Sequence, residues 1–193
     1  MVEVRAPDIF SKMAYDRAIV VFSPEGRLYQ VEYAQKAVEN APTAVGVVYE
    51  SGVVLMAMKI YQKLLVPEAI EKIAKIEDHI GIVFCGMAGD ARALIDYARL
   101  RAQIHRITYN EPISTKLLAR QIANRKQQFT QIGGIRPYGV SFLIGGYNEG
   151  PELYETDPAG TVRKWYACAI GRGAKAANEV LEREWKPGLT REK

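Results

Sequence analysis

Histidine and cysteine are scarce, with two of each among 193 residues. His79, His105, Cys85 and Cys168 stand apart along the chain, and none has a ligand-type neighbour at short spacing. The pattern therefore predicts no metal site and no cofactor. Cys85 and Cys168 lie in apolar, strand-like runs and read as two buried free thiols, which suits a reducing compartment. Each histidine reads as a surface or strand-end residue. Long apolar runs are also missing. No window approaches the roughly eighteen residues of a membrane span, and "MVEVRAPDIFSK" lacks a signal-type apolar stretch. The expectation is a cytoplasmic protein with no membrane partner. Repeats and low-complexity segments are absent too.

What is present is an ordinary globular composition, 48% hydrophobic and 25% charged, with a net charge of +4. The length predicts one domain over 1–193. The basic residues are unevenly placed. Between Arg92 and Arg136 there are nine Lys/Arg against two acids, Asp96 and Glu111. No aromatic stacking positions or recognition motif accompany them, so nucleic acid is not the expected partner.

The pattern predicts a turn at "SPEGR" and a short helix from Tyr29 to Val38. Strands follow at 43–49 and 52–58 around an "ESG" hairpin turn, then at 71–76 and 79–86. Apolar residues at Ala91, Leu94, Ile95, Ala98 and Ala102 mark a long helix over 88–107, with Arg92 and Asp96 as a supporting pair. Pro112 ends it and opens a second helix over 113–129, with Leu117, Leu118 and Ile122 inward. "IGGIRPYG" (132–139) reads as a loop. Strands return at 140–147, 151–157 and 161–171, the last two joined by a "DPAG" turn. A final helix runs over 174–186. Two helices between two groups of antiparallel strands predict an α+β fold, a four-layer αββα sandwich of two antiparallel sheets.

The blocks "YDRAIVVFSPEGRLYQVEYAQKAV", "IEKI", "GDARALIDYAR", "FTQIGGIRPYGVSFLIGG" and "LYETDPAGTVRKWYACAIGRG" resemble archaeal proteasome α-type subunits, in register from about Ala14 to Trp185. The resemblance implies the N-terminal nucleophile hydrolase-type fold. It also implies a further C-terminal helix and closing strands that this sequence, ending at "LTREK", lacks. Such family members are non-catalytic. They form the heptameric outer ring of a threonine-protease core, control entry to the proteolytic β rings, and receive ATPase activators with hydrophobic-tyrosine-X tails. The implied partners are thus other copies of the chain, β subunits and such an activator.

Carried over by position, residues 1–14 match the gate tail and 15–40 the gate-cluster turn and ring helix. Tyr15, Asp16, Pro24 and Tyr33 match the cluster that holds the gate open. Lys72 matches the lysine that takes the tail carboxylate, for which a compact three-donor charge is suited. Met87 stands where leucine is common and Ala41 where glycine is usual in the same pocket. Ile132, Gly133, Gly134 and Ile135 match the pore constriction, where the family often has an aromatic at 132. On residue pattern alone, Lys72 reads as a solvated lysine, and Asp16 as a partner for Arg17 or a surface lysine, with Tyr15 and Tyr33 merely packed.

An active threonine hydrolase is the first alternative. It needs an N-terminal threonine activated by its own amine. The register puts Pro42 there and Met58 at the acidic position, and "ENAPT" lacks the glycine that precedes self-cleavage. The other alternative is a truncated or degenerate paralogue that forms no rings. The basic helices are expected to face the β ring, matched to acidic surface.

Overall fold

The computed structural model describes residues 21–66 and 71–191. Helix α1 (Tyr29–Glu39) leads into strands β1 (Ala44–Tyr49), β2 (Gly52–Ala57), β3 (Ile73–Glu77) and β4 (Ile80–Gly86). Two long helices follow, α2 (Ala88–Tyr109) and α3 (Thr115–Gln131). Then come β5 (Val140–Tyr147), β6 (Pro151–Thr156), β7 (Val162–Trp165) and β8 (Ala167–Ile170), and finally α4 (Ala174–Glu184).

The strands form two antiparallel sheets, ordered β3-β4-β5-β6-β7 and β2-β1-β8. Their period-two patterns set which face each residue meets. Phe84, Ile82, Phe142 and Ile144 face α2 and α3, packing on Leu94, Ala98, Leu118 and Ile122. Val83, Cys85, Leu143 and Leu153 face the second sheet, meeting Ala44, Cys168 and Ile170. Strand β5 is buried along nearly its whole length because both its faces are covered. Helix α4 packs against β8 on the far side, completing an α+β sandwich with the layer order helix, sheet, sheet, helix.

Four local expectations are corrected. The run 161–171 is two strands rather than one. The chain passes between sheets at Tyr166, so β7 pairs with β6 and β8 with β1. Tyr166 O accepts from Val48 N at 2.7 Å, which ties the crossing point to β1. Helix α3 begins at Thr115, because the Ser114 hydroxyl accepts from Leu117 N at 3.2 Å and caps it. Leu117 then falls outside the stripe of Leu118 and Ile122 and is exposed. Asp96 turns to Arg99 (3.7 Å), one turn on, rather than to Arg92.

The edge strand β8 is blunted by a side chain. Asn178 of α4 accepts from Ala169 N at 2.8 Å through Oδ1 and donates to Ala169 O at 3.2 Å through Nδ2. One amide thus occupies the place of a neighbouring strand at that residue. Trp185 donates its indole N–H to Val48 O at 3.1 Å and stacks on Tyr166.

Candidate functional site

The candidate pocket residues lie around the junction of α1, the end of β4 and the end of the 132–139 loop. Gly86, with φ 120°, turns the chain out of β4, and a methyl group there would sit 2.1 Å from Gly139 O. Only glycine fits both the dihedral and the close approach. The turn presents Met87, whose N–H donates to Gly139 O at 2.9 Å. Its side chain is about half exposed. The thioether packs beside Gly139, near Ala37 of α1. Ala41 follows α1, is buried, and accepts from Arg172 N at 2.9 Å.

Lys72 corrects the reading of a solvated lysine: it is 8% exposed. It precedes β3, its carbonyl accepts from Phe84 N, and its Nζ lies 4.9 Å from the centre of the Phe84 ring. Burial pushes its ammonium below the usual lysine range, with the Cys85 thiol opposing. Among the described residues no carboxylate forms an ion pair with it. Cys85 in turn donates to Pro42 O at 3.0 Å. Cys85 thus ties the end of β4 to the segment after Ala41, and Met87 stands two residues beyond it. Ala41 and Met87 thus lie on either side of Cys85, and Lys72 stands across from Phe84, the residue before it.

The residues expected at the nucleophile and acidic positions, Pro42 and Met58, lie just before β1 and just after β2. Pro42 offers no hydroxyl, and its carbonyl is taken by Cys85. The Thr43 hydroxyl accepts from Gly173 N at 2.9 Å, and its carbonyl accepts from Met58 N at 2.9 Å. Met58 brings no acid to the site.

Of the gate cluster, Tyr15 and Asp16 lie outside the described residues, as does the 1–14 tail. Pro24 is the second residue of a turn closed by Gly26 N donating to Ser23 O at 2.8 Å. Ser23 Oγ also accepts from Arg27 N, and Arg27 pairs with Glu32 of α1. Tyr33 is half exposed and stacks on the buried Tyr29 with ring centres 6.5 Å apart. Rigid turn and helix are thus joined by side chains.

Ile132, Gly133, Gly134 and Ile135 form an exposed turn after α3, with Ile135 N donating to Ile132 O at 3.4 Å. Two contacts here escaped the sequence reading. Arg136 grips Asp90 with both terminal nitrogens, at 2.6 and 2.7 Å, and Asp90 also accepts from Gly139 N at 2.9 Å. Asp90 is 46 residues away from Arg136. No local spacing signals such a pair.

Among the described residues no group of His, Cys, Asp and Glu could hold a metal, and no helix is long and apolar enough to cross a membrane. The two antiparallel sheets between helix layers define a protein of the N-terminal nucleophile hydrolase fold class. Comparison with known families sharpens that class. Residues 38–193 match the family model for proteasome subunits, and residues 15–37 match the N-terminal signature of proteasome subunits of type A. The chain is 53% identical over 180 residues to the proteasome alpha subunit of Archaeoglobus fulgidus, covering 93% of this chain and 73% of that protein. It is 50% identical over 179 residues to the protein of the same name from Thermococcus sibiricus, covering 92% and 69%. The Methanoregula boonei alpha subunit is 51% identical over 180 residues, covering 92% and 75%. The chain belongs to the proteasome subunit family, on its alpha side.

Proposed function

We propose that the chain is the structural and gating subunit of a proteasome core: it forms a heptameric outer ring, stacks on proteolytic β rings, and receives activator tails. The observation that carries this reading is Lys72, a buried cation with no carboxylate partner among the described residues, set over Phe84 three residues before the half-exposed Met87. A tail carboxylate would supply the missing anion, and a hydrophobic-tyrosine pair would cover the thioether and the Ala41 backbone. The Ala41 methyl narrows the approach that a glycine leaves open. Residues 1–14 act as the gate tail. Tyr15 and Asp16, together with Pro24 and Tyr33, hold the gate open, and the 132–135 turn narrows the pore beneath. The basic faces of α2 and α3 meet the β ring. The ring works in the cytoplasm without a cofactor.

The non-catalytic role is supported by Pro42 and by the engaged Thr43 hydroxyl. Native mass spectrometry of the chain with a β-type subunit tests assembly: seven-membered rings and a stacked barrel are expected, and a persistent monomer overturns the reading. In the assembled particle, deleting residues 1–14 raises peptide entry, Tyr15→Ala weakens activator-driven opening, and Lys72→Ala abolishes stimulation by a tail peptide. Unchanged stimulation in the Lys72 variant removes the pocket from the proposal.

A further inference from the structure

The loop that carries the candidate constriction residues is stitched to Met87 and the first turn of α2 through Gly139 and Arg136. Gly139, its last residue, is held from both sides: Met87 N donates to its carbonyl at 2.9 Å, and its own N–H donates to Asp90 Oδ2 at 2.9 Å. Asp90 sits in the first turn of α2, where a carboxylate is favoured by the exposed amides. Its two oxygens then take the Arg136 guanidinium in a bidentate pair, while the same arginine donates to Pro137 O at 3.0 Å. Arg136 directly follows Ile135. The turn before it is unsupported by comparison, since methyl groups at Gly133 or Gly134 would meet nothing within 4 Å.

We propose that Arg136 and Asp90 are a positioning pair that makes the Met87 wall and the 132–135 turn move as one body, so that a ligand displacing Met87 shifts the constriction. This rests on the reading of Met87 and Lys72 as a docking pocket. The planar fork of arginine, matched to two carboxylate oxygens, fixes direction as well as distance, which a single contact does not. The side chain of Asp90 is 12% exposed, against 55% for Arg136. The anchor is thus embedded in the helix layer while the arm reaches along the loop. Coupling of this kind is reciprocal: a loop held elsewhere alters tail affinity by the same factor.

The test uses the particle assembled from this chain and a β-type subunit. The probe is a labelled synthetic peptide ending in a hydrophobic residue, tyrosine and one further residue with a free carboxylate. Peptide affinity is read by fluorescence anisotropy, and backbone exchange of 132–139 by deuterium uptake. In the unsubstituted particle, peptide binding changes uptake in 132–135 by about tenfold in rate. In Arg136→Met the peptide still binds, more weakly, and that change is lost; Arg136→Lys restores only part of it. Asp90→Asn, which keeps the acceptor for Gly139 N, gives an intermediate loss and serves if Arg136→Met fails to assemble. Binding that leaves 132–135 unaltered in the unsubstituted particle, or a full response in Arg136→Met, overturns the coupling. A second arm separates it from the pocket reading. Without peptide, Met87→Ala changes uptake in 132–135 when Arg136 is present and not in Arg136→Met. That result, with no peptide binding, would fault the pocket alone; an equal effect in both backgrounds would fault the positioning pair.

Discussion

Lys126 Nζ lies 2.9 Å from both the backbone carbonyl and the hydroxyl oxygen of Thr156, and 2.9 Å from Val140 O. The side chain is fully buried on α3, over the Phe142 ring. It pins the helix to the start of β5 and the end of β6. Both protonation states can be satisfied. An ammonium donates three bonds; a neutral amine donates two to the carbonyls and accepts from the threonine hydroxyl.

Burial pushes the Lys126 pKa down to about 7, with Asp157 and Glu155 opposing. In the unfolded chain the same group titrates near about 10.4. Between those values the unfolded chain binds more protons, so stability rises with pH, by at most about 1.4 kcal/mol per unit. Lys126→Met removes this rise. Urea denaturation across pH about 7 to 10 checks it. Parallel slopes in the two proteins would show that Lys126 does not titrate in this window.

Gly86 and Gly133 provide a contrast in one substitution. An alanine at 86 needs a φ of 120° and brings its methyl 2.1 Å from Gly139 O; at 133 it meets nothing within 4 Å. Gly86→Ala is expected to cost about 3 kcal/mol or more, because strain and clash add. Gly133→Ala stays within about 0.5 kcal/mol, as an open surface position does. Denaturant midpoints for the two variants check the ordering, and equal midpoints would contradict it.

Much of this architecture is legible in the pattern, and the failures have identifiable causes. The apolar run of β5 and the stripe Ala91–Leu94–Ile95–Ala98–Ala102 are dictated by burial, which repeats with the local period. The split at Tyr166 is not, because a strand that changes sheets keeps an extended backbone throughout. The signal lay in composition: polar "VRKW" gives way to small apolar "ACAI". Lys126 was legible in principle, since it continues the four-residue spacing Leu118, Ile122, Lys126, but a charged side chain reads as a surface residue. Lys72 misled for the same reason. The Asp90–Arg136 pair depends on tertiary approach and leaves no local trace. Tyr15 and Asp16 fall outside the described residues, so the gate cluster rests on resemblance.

Asn178 is expected to protect the β8 edge. Asn178→Ala removes both bonds to Ala169 and leaves a strand-type donor and acceptor without a partner, a loss of about 1–3 kcal/mol. The freed edge also invites pairing with other chains. Thermal unfolding together with light scattering tests both effects. Asn178→Gln, one methylene longer, cannot hold the same two-point geometry and should resemble alanine. A variant as stable and as soluble as the parent would show that α4 alone shields the edge.

Cys85 and Cys168 are both free and buried. Burial pushes the Cys85 thiol up to about 11, with Lys72 opposing, and the Cys168 thiol up to about 12, with the carboxylate of Glu155 adding to the rise. Since the thiolate is the reactive species, both should resist iodoacetamide at pH about 8 in the native protein and react at ordinary thiol rates once unfolded. The two differ in what sets them free. Cys85 is locked between the sheets, donating to Pro42 O and to Ile170 O at 3.4 Å, so its labelling requires the sheets to part. Cys168 lines a groove of about 480 Å³ beside Trp165, Asn178 and Trp185, so loosening α4 suffices. In Asn178→Ala, therefore, Cys168 should label well ahead of Cys85, as read by mass spectrometry of peptides over time. Equal acceleration at both positions would mean that the sandwich opens as one unit rather than from its outer helix inward.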